Sequence, residues 1–194
     1  MTKLRVATAL LILMSMAVSA HDHAEMSAEE KAMMEAYMKA ATPGPQHAAM
    51  ASKAGAYALE IKNFAPDGTT TMESGKATRR MNLDGRVMVE EVQASMMGQS
   101  FTGYGMTGYD NVSGRYWSTW NDSMSTGIMV SDGSCDDKGK CAFSGSWNDP
   151  LTKAPVSART ESEWMDDATE IFRMYGPGPD GKEMQMMEIT YRRQ

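Results

Sequence analysis

The chain has 194 residues and a formal net charge of −6. An acidic chain of this kind repels nucleic acid and anionic lipid, and beyond the opening segment no stretch is apolar enough to span a bilayer. Its oddest feature is methionine, with 21 copies. Beyond residue 20 the only leucines and isoleucines are Leu59, Leu83, Leu151, Ile61, Ile128, Ile171 and Ile189.

Lys3 and Arg5 precede an apolar run from Val6 to Val18, which ends in Val18-Ser19-Ala20. A charged start, a short apolar core and a small-residue site are the layout of a secretory signal peptide, so residues 1–20 are expected to be removed after Ala20. That places the protein in the periplasm or outside the cell. About 170 residues then remain, enough for one domain with its own core. The new terminus reads His21-Asp22-His23. A free amine, two amides and the His23 imidazole can wrap Cu(II) in a square plane, and thioethers suit Cu(I). His21 and His23, backed by Met26, Met33, Met34 and Met38, are therefore candidate copper ligands.

Residues 21–54 read as a helical extension and linker. Ser27-Ala28-Glu29-Glu30 fits a capping box. Met33, Met34, Tyr37, Met38 and Ala41 recur at helical spacing. Thr42-Pro43-Gly44-Pro45 ends that helix, because its prolines and glycine cannot continue it. A shorter helix is expected from Gln46 to about Ala54.

From Gly55 to the end, turn signals such as Asp67-Gly68, Asp84-Gly85, Ser113-Gly114, Asp132-Gly133 and Lys138-Gly139 separate segments rich in β-branched and aromatic residues. Between Arg115 and Asp122, alternation puts Tyr116, Ser118, Trp120 and Asp122 on one face, with Trp117 and Thr119 on the other. The pattern predicts an all-β domain over residues 55–194 with about ten strands. Short turns join antiparallel neighbours, and closing the meander into an up-and-down barrel removes its exposed edges. Glycines 98, 103, 105 and 108 suit the bends of such a barrel. With so little leucine and isoleucine, methionine is expected to fill much of the core, as where Met187 alternates with Ile189 and Tyr191.

Cys135 and Cys141 flank a turn of Asp, Lys and Gly residues. In an exported protein such a pair is expected to form a disulfide that pins a hairpin. A redox or metal role lacks both the C-x-x-C spacing and a nearby histidine.

Three stretches resemble the secreted bacterial proteins grouped as domain of unknown function 1579. They are Thr42-Pro43-Gly44-Pro45-Gln46-His47 leading to Gly55-Ala56-Tyr57, the central run from Met97 through Gly108-Tyr109-Asp110-Asn111 to Gly127, and the segment from Tyr175-Gly176-Pro177-Gly178 to Tyr191-Arg192. The resemblance implies a calycin-like barrel, similar in shape to lipocalins. In such barrels a tryptophan near the first strand packs under an arginine near the last. Here Tyr57 takes the tryptophan's place, with Arg192 or Arg193 as its partner. The cysteine pair is not part of the family pattern, and the family implies no activity.

Barrels of this size either fill with side chains or keep one small-molecule cavity. Tyr104, Tyr109, Trp117 and Trp120, with Asp122 and Thr126 as polar anchors, are the candidate wall of a site for a small apolar or amphipathic ligand. Catalysis ranks below binding. Asp110 and Asp122 could form a carboxylate pair, but Asp110 belongs to a turn signal, which leaves a hydrolase reading built around Asp122. The nearby serines have no candidate base, since His21, His23 and His47 all precede the strands. Haem is set aside for the same reason, because residues 55–194 contain no axial histidine. No cofactor is required by these residues; copper is the metal they suggest, and Ni(II) prefers the same square plane.

Overall fold

The capping box at Ser27 is formed: Ser27 N–H donates to Glu30 at 2.8 Å, and Glu30 N–H donates to the Ser27 hydroxyl at 3.2 Å. The computed structural model describes residues 26–96, 98–150 and 152–194; the segment expected to be a signal peptide and His21-Asp22-His23 lie outside them. Two units are distinguished, residues 1–36 and 37–194. Helix α1 spans Ala28–Ala41 and has no buried residue, so Met33, Met34, Tyr37 and Met38 are all exposed.

Helix α2, Pro45–Ala51, is shorter than the sequence suggests. Its first turn is closed by His47, whose Nδ1 accepts the Gly44 N–H at 3.0 Å. His47 and Met50 are its buried residues.

Ten strands follow: β1 Gly55–Phe64, β2 Thr70–Asn82, β3 Val87–Met96, β4 Gln99–Asp110, β5 Arg115–Asp122, β6 Met129–Cys135, β7 Cys141–Asn148, β8 Pro155–Trp164, β9 Thr169–Pro177 and β10 Glu183–Arg193. Each pairs antiparallel with its sequence neighbours, and β1 closes on β10 with Leu59 opposite Tyr191 and Ile61 opposite Ile189. The closed ten-stranded antiparallel barrel is the fold that the alternating segments and short turns predict. Tight turns carry the left-handed conformations they need, as at Gly85 (φ 83°) between β2 and β3. The β6–β7 hairpin is pinned by the Cys135–Cys141 disulfide, whose Cα atoms are 3.9 Å apart on directly paired positions.

The register sorts residues into inward and outward sets. Tyr57, Leu59, Ile61, Ala77, Val92, Phe101 and Tyr191 form the buried core. Methionine does not dominate it: Met50 is the one buried methionine among the described residues. Met96 and Met187 pack against the edge of the core, while Met72, Met124 and Met165 are exposed. Tyrosine, phenylalanine and β-branched side chains occupy the centre, where stiff, bulky groups fill the barrel in fewer positions. The expectation of a methionine core is corrected accordingly.

Glycines within β4 serve the aromatic rings more than any bend. A Cβ on Gly103 would lie 2.3 Å from Trp120, and one on Gly108 would lie 2.4 Å from Trp117. Gly98, by contrast, lies in the β3–β4 turn with φ 75°.

Candidate functional site

α2 packs against β2, β3 and β4, and the chain passes from it directly into β1. The β-turns at this end of the barrel follow β2, β4, β6 and β8; those at the far end follow β1, β3, β5, β7 and β9. Inward-facing residues are unevenly buried. Near α2, Tyr57, Ala77, Tyr116, Cys141 and Tyr191 are buried. Toward the far end, Met96, Trp120, Trp147, Met174 and Met187 are only half-buried although they face inward by register.

The α2 end holds an ion cluster built from residues far apart in sequence. Arg79 on β2 is buried, with its Nε 2.7 Å from Glu90 and its Nη1 hydrogen-bonded to Glu170. Strand pairing explains the arrangement, since Arg79 lies opposite Glu90 and Glu170 lies opposite Tyr191. The guanidinium also sits 4.4 Å from the Tyr191 ring centre and 5.0 Å from that of Tyr57. Burial alone would lower the Arg79 pKa, but the Glu90 and Glu170 carboxylates reverse this and hold it well above the ordinary value. Burial, aided by the Glu90 charge, pushes the Tyr191 phenol far up. Lys53, mostly buried beside this cluster, is shifted down by desolvation, with Glu170 opposing the shift.

Arg193 is the partner that Tyr57 takes from the chain terminus, with its guanidinium 5.5 Å from the Tyr57 ring and 5.7 Å from that of Trp164. It also ties the end of β10 to the approach to β1, donating to the Ala54 and Ser52 carbonyls at 3.1 and 2.8 Å. Arg192, the other candidate, is exposed.

These tyrosines make the fold sensitive to alkali. The native state holds the Tyr191 proton beyond the ordinary tyrosine pKa of about 10, whereas the unfolded chain loses it there. Above that pH the unfolded state binds fewer protons, so stability falls as pH rises. Tyr57 and Tyr116 add to the effect, since burial raises both. Urea midpoints are expected to hold below about pH 9 and to decline above about pH 10, with a shallower decline in Tyr191→Phe. A flat profile through that range would contradict this account.

The six residues expected to line a ligand site do not share one surface. Tyr109, Trp120 and Asp122 face the interior. Tyr109 lies 4.9 Å from its cross-strand partner Tyr116, and edge-on to His47 at 5.9 Å. Tyr104 and Trp117 face outward, with Tyr104 40 % exposed and Trp117 lying over Gly108. Thr126 is exposed in the β5–β6 loop.

Trp120 and Asp122 form the most developed polar-aromatic element of the interior. The Trp120 ring lies on Gly103 and Gly105 and is stacked with Phe101 at 6.5 Å and an interplanar angle of 19°. Trp120 Nε1 donates to Asp122 Oδ2 at 3.0 Å, and the Met124 N–H donates to Oδ1 at 2.9 Å. Asp110, by contrast, is spent on its turn, accepting the Val112 N–H at 2.9 Å.

Two grooves also run along the outer surface. One, of about 870 Å³, includes Asp132, Ser144, Ser157, Arg159 and Tyr175; the other, of about 550 Å³, includes Ser74, Lys76, Gln93 and Ser100. Neither takes in any of the six expected residues. Among the described residues no group of three or more His, Cys, Asp or Glu is placed to hold a metal ion. His21 and His23 lie outside those residues. No described helix is long and apolar enough to cross a membrane.

The Arg79 cluster was not among the residues singled out from sequence. Its one legible signal is Glu170, which alternates with Phe172 and Met174 and so places a carboxylate on an apolar strand face.

The family described as "Protein of unknown function (DUF1579)" matches residues 42–193. No curated protein matches the chain. Among solved structures, Rv2717c from M. tuberculosis is similar in fold, with a TM-score of 0.64 at 12% identity, covering 79% of this chain and 99% of that one. A redesigned beta barrel matches with a TM-score of 0.37 at 14% identity, over 75% of this chain and 96% of that one.

Proposed function

The chain belongs to the DUF1579 family, and we propose that it is an exported barrel protein that takes a small apolar or amphipathic molecule into its interior. The observation that carries this reading is that Met96, Trp120, Trp147, Met174 and Met187, inward-facing and toward the end away from α2, are only half-buried. A barrel of this size can hold one small ligand, and an apolar lining with a few polar groups is the usual form of a ligand site. The buried Arg79 cluster forms the packed floor and the far end the mouth. Methionines near the mouth suit varied ligand shapes, because an unbranched thioether side chain adapts readily.

The outer face supports a water-facing barrel. Arg80–Glu91, Arg115–Asp132 and Arg173–Glu188 pairs lie across it, where a membrane barrel needs an apolar band. Export follows from the apolar segment before Ala20, and N-terminal sequencing of the secreted protein is expected to begin at His21.

The neutral dye N-phenylnaphthylamine tests the interior site. Saturable binding with a rise in dye emission is expected, displaced by dodecanol and weakened about tenfold or more by Trp120→Ala, a loss of about 1.4 kcal/mol of apolar contact. Absence of saturable binding, or equal binding by the variant, would overturn the reading.

A further inference from the structure

We infer that the molecule taken into the barrel is an amphipathic organic cation, stacked on the Trp120–Phe101 platform with its charged nitrogen beside the Asp122 carboxylate. This rests on the interior-binding reading and names the class of ligand that the same site takes.

Gly103 and Gly105 carry no side chain on the inner wall, so Trp120 lies against β4 in an offset stack with Phe101. Phe101 is buried, while Trp120 is only half-buried and so remains partly accessible. The indole is anchored at its edge by the bond to Asp122, and the Met124 N–H holds the other carboxylate oxygen. Each carboxylate oxygen retains accepting capacity beyond these bonds. An aromatic surface with a fixed carboxylate at its rim is a receptor for an alkylammonium group, which gains from both the π face and the anion.

The distribution of charge points the same way. Glu73 faces inward opposite Ile61, accepts the Asn63 amide at 3.2 Å, and belongs to the same far end as Asp122. The inward-facing bases lie at the other end and are committed there: Arg79 to Glu90 and Glu170, Arg193 to the Ala54 and Ser52 carbonyls. Lys53 is at that end too, 5.8 Å from the Trp164 ring. On the inner wall at that end a carboxylate-headed lipid meets like charges, whereas a cation meets a carboxylate and an indole.

Calorimetric titration of the exported protein with dodecyltrimethylammonium, dodecanol and dodecanoate, each below its micelle threshold, separates the possibilities. The ammonium is expected to bind at least about tenfold more tightly than the carboxylate. Asp122→Asn should remove most of that preference, and Asp122→Glu should restore part of it. Equal or tighter binding of dodecanoate overturns the inference, as does a preference that survives Asp122→Asn. The ranking in the unaltered protein decides the matter even if the variant does not fold. If dodecanol binds and no charge preference appears, only this inference falls. If dodecanol does not bind, the interior-binding reading falls and this inference with it.

Discussion

Arg79→Ala is expected to destabilise the protein by about 3–5 kcal/mol, the range for breaking a buried ion pair by removing one partner. The size follows from what the substitution leaves behind. Glu90 and Glu170 are both held by the one guanidinium, and Glu170 is 3 % exposed. Without Arg79, two carboxylates face each other inside the barrel with little water to solvate them, and one must take up a proton or the wall must open. The substitution also strips a cation from the faces of Tyr57 and Tyr191. A triple variant, Arg79→Met with Glu90→Leu and Glu170→Leu, is expected to recover most of the loss, because apolar groups of similar size escape the desolvation cost. Urea unfolding at neutral pH measures both. A loss under about 1 kcal/mol for the single variant would show that water reaches the cluster and solvates the charges left behind.

Three alanine substitutions in β4 are expected to fall into an order set by the ring each glycine seats. Gly103→Ala places a methyl 2.3 Å from the Trp120 ring, with Phe101 3.3 Å away on another side. The indole must leave the wall, at about 1–3 kcal/mol of overpacking strain, and interior dye binding should be largely lost. Gly105→Ala meets the same ring at 3.2 Å, so a small shift relieves it and the cost is lower. Gly108→Ala is the informative control. Its methyl would lie 2.4 Å from Trp117 on the outer face, so stability should fall about as much as for Gly103→Ala while dye binding is retained. Near-ultraviolet circular dichroism reports the ring movements, and urea midpoints report the cost. If Gly108→Ala abolished dye binding as thoroughly as Gly103→Ala, the assignment of inner and outer faces to function would be wrong.

The barrel was legible in the sequence because its signals are local. Turn residues such as Asp84-Gly85 and Lys138-Gly139 stand where the β-turns form, and the alternation through Tyr116, Ser118, Trp120 and Asp122 matches the inward face of β5. The Ser27–Glu30 cap and the Cys135–Cys141 pairing were readable for the same reason, since each needs only a few neighbouring residues. The candidate site was legible only in part. Its residues were gathered by closeness in sequence and aromatic character, which mixed Tyr104 and Trp117 from the outer face with Tyr109, Trp120 and Asp122 from the inner one. Strand alternation was the information that separates them. For Trp117 and Trp120 it was already visible in β5, and for Tyr104 it requires the inward set of β4 to be known.

What the sequence determined by itself was the succession of strands, the antiparallel connectivity and the covalent pin on one hairpin, all of which depend on spacing along the chain. The tertiary structure alone decided the charge inside the barrel. Arg79, Glu90 and Glu170 become one cluster only when β2 pairs with β3 and the barrel closes through β1, β10 and β9. It also decided the place of methionine, because composition counts side chains but not the side of the sheet each one faces. A buried charge is tolerated only where its partners are delivered to it, and that delivery depends on closure of the sheet.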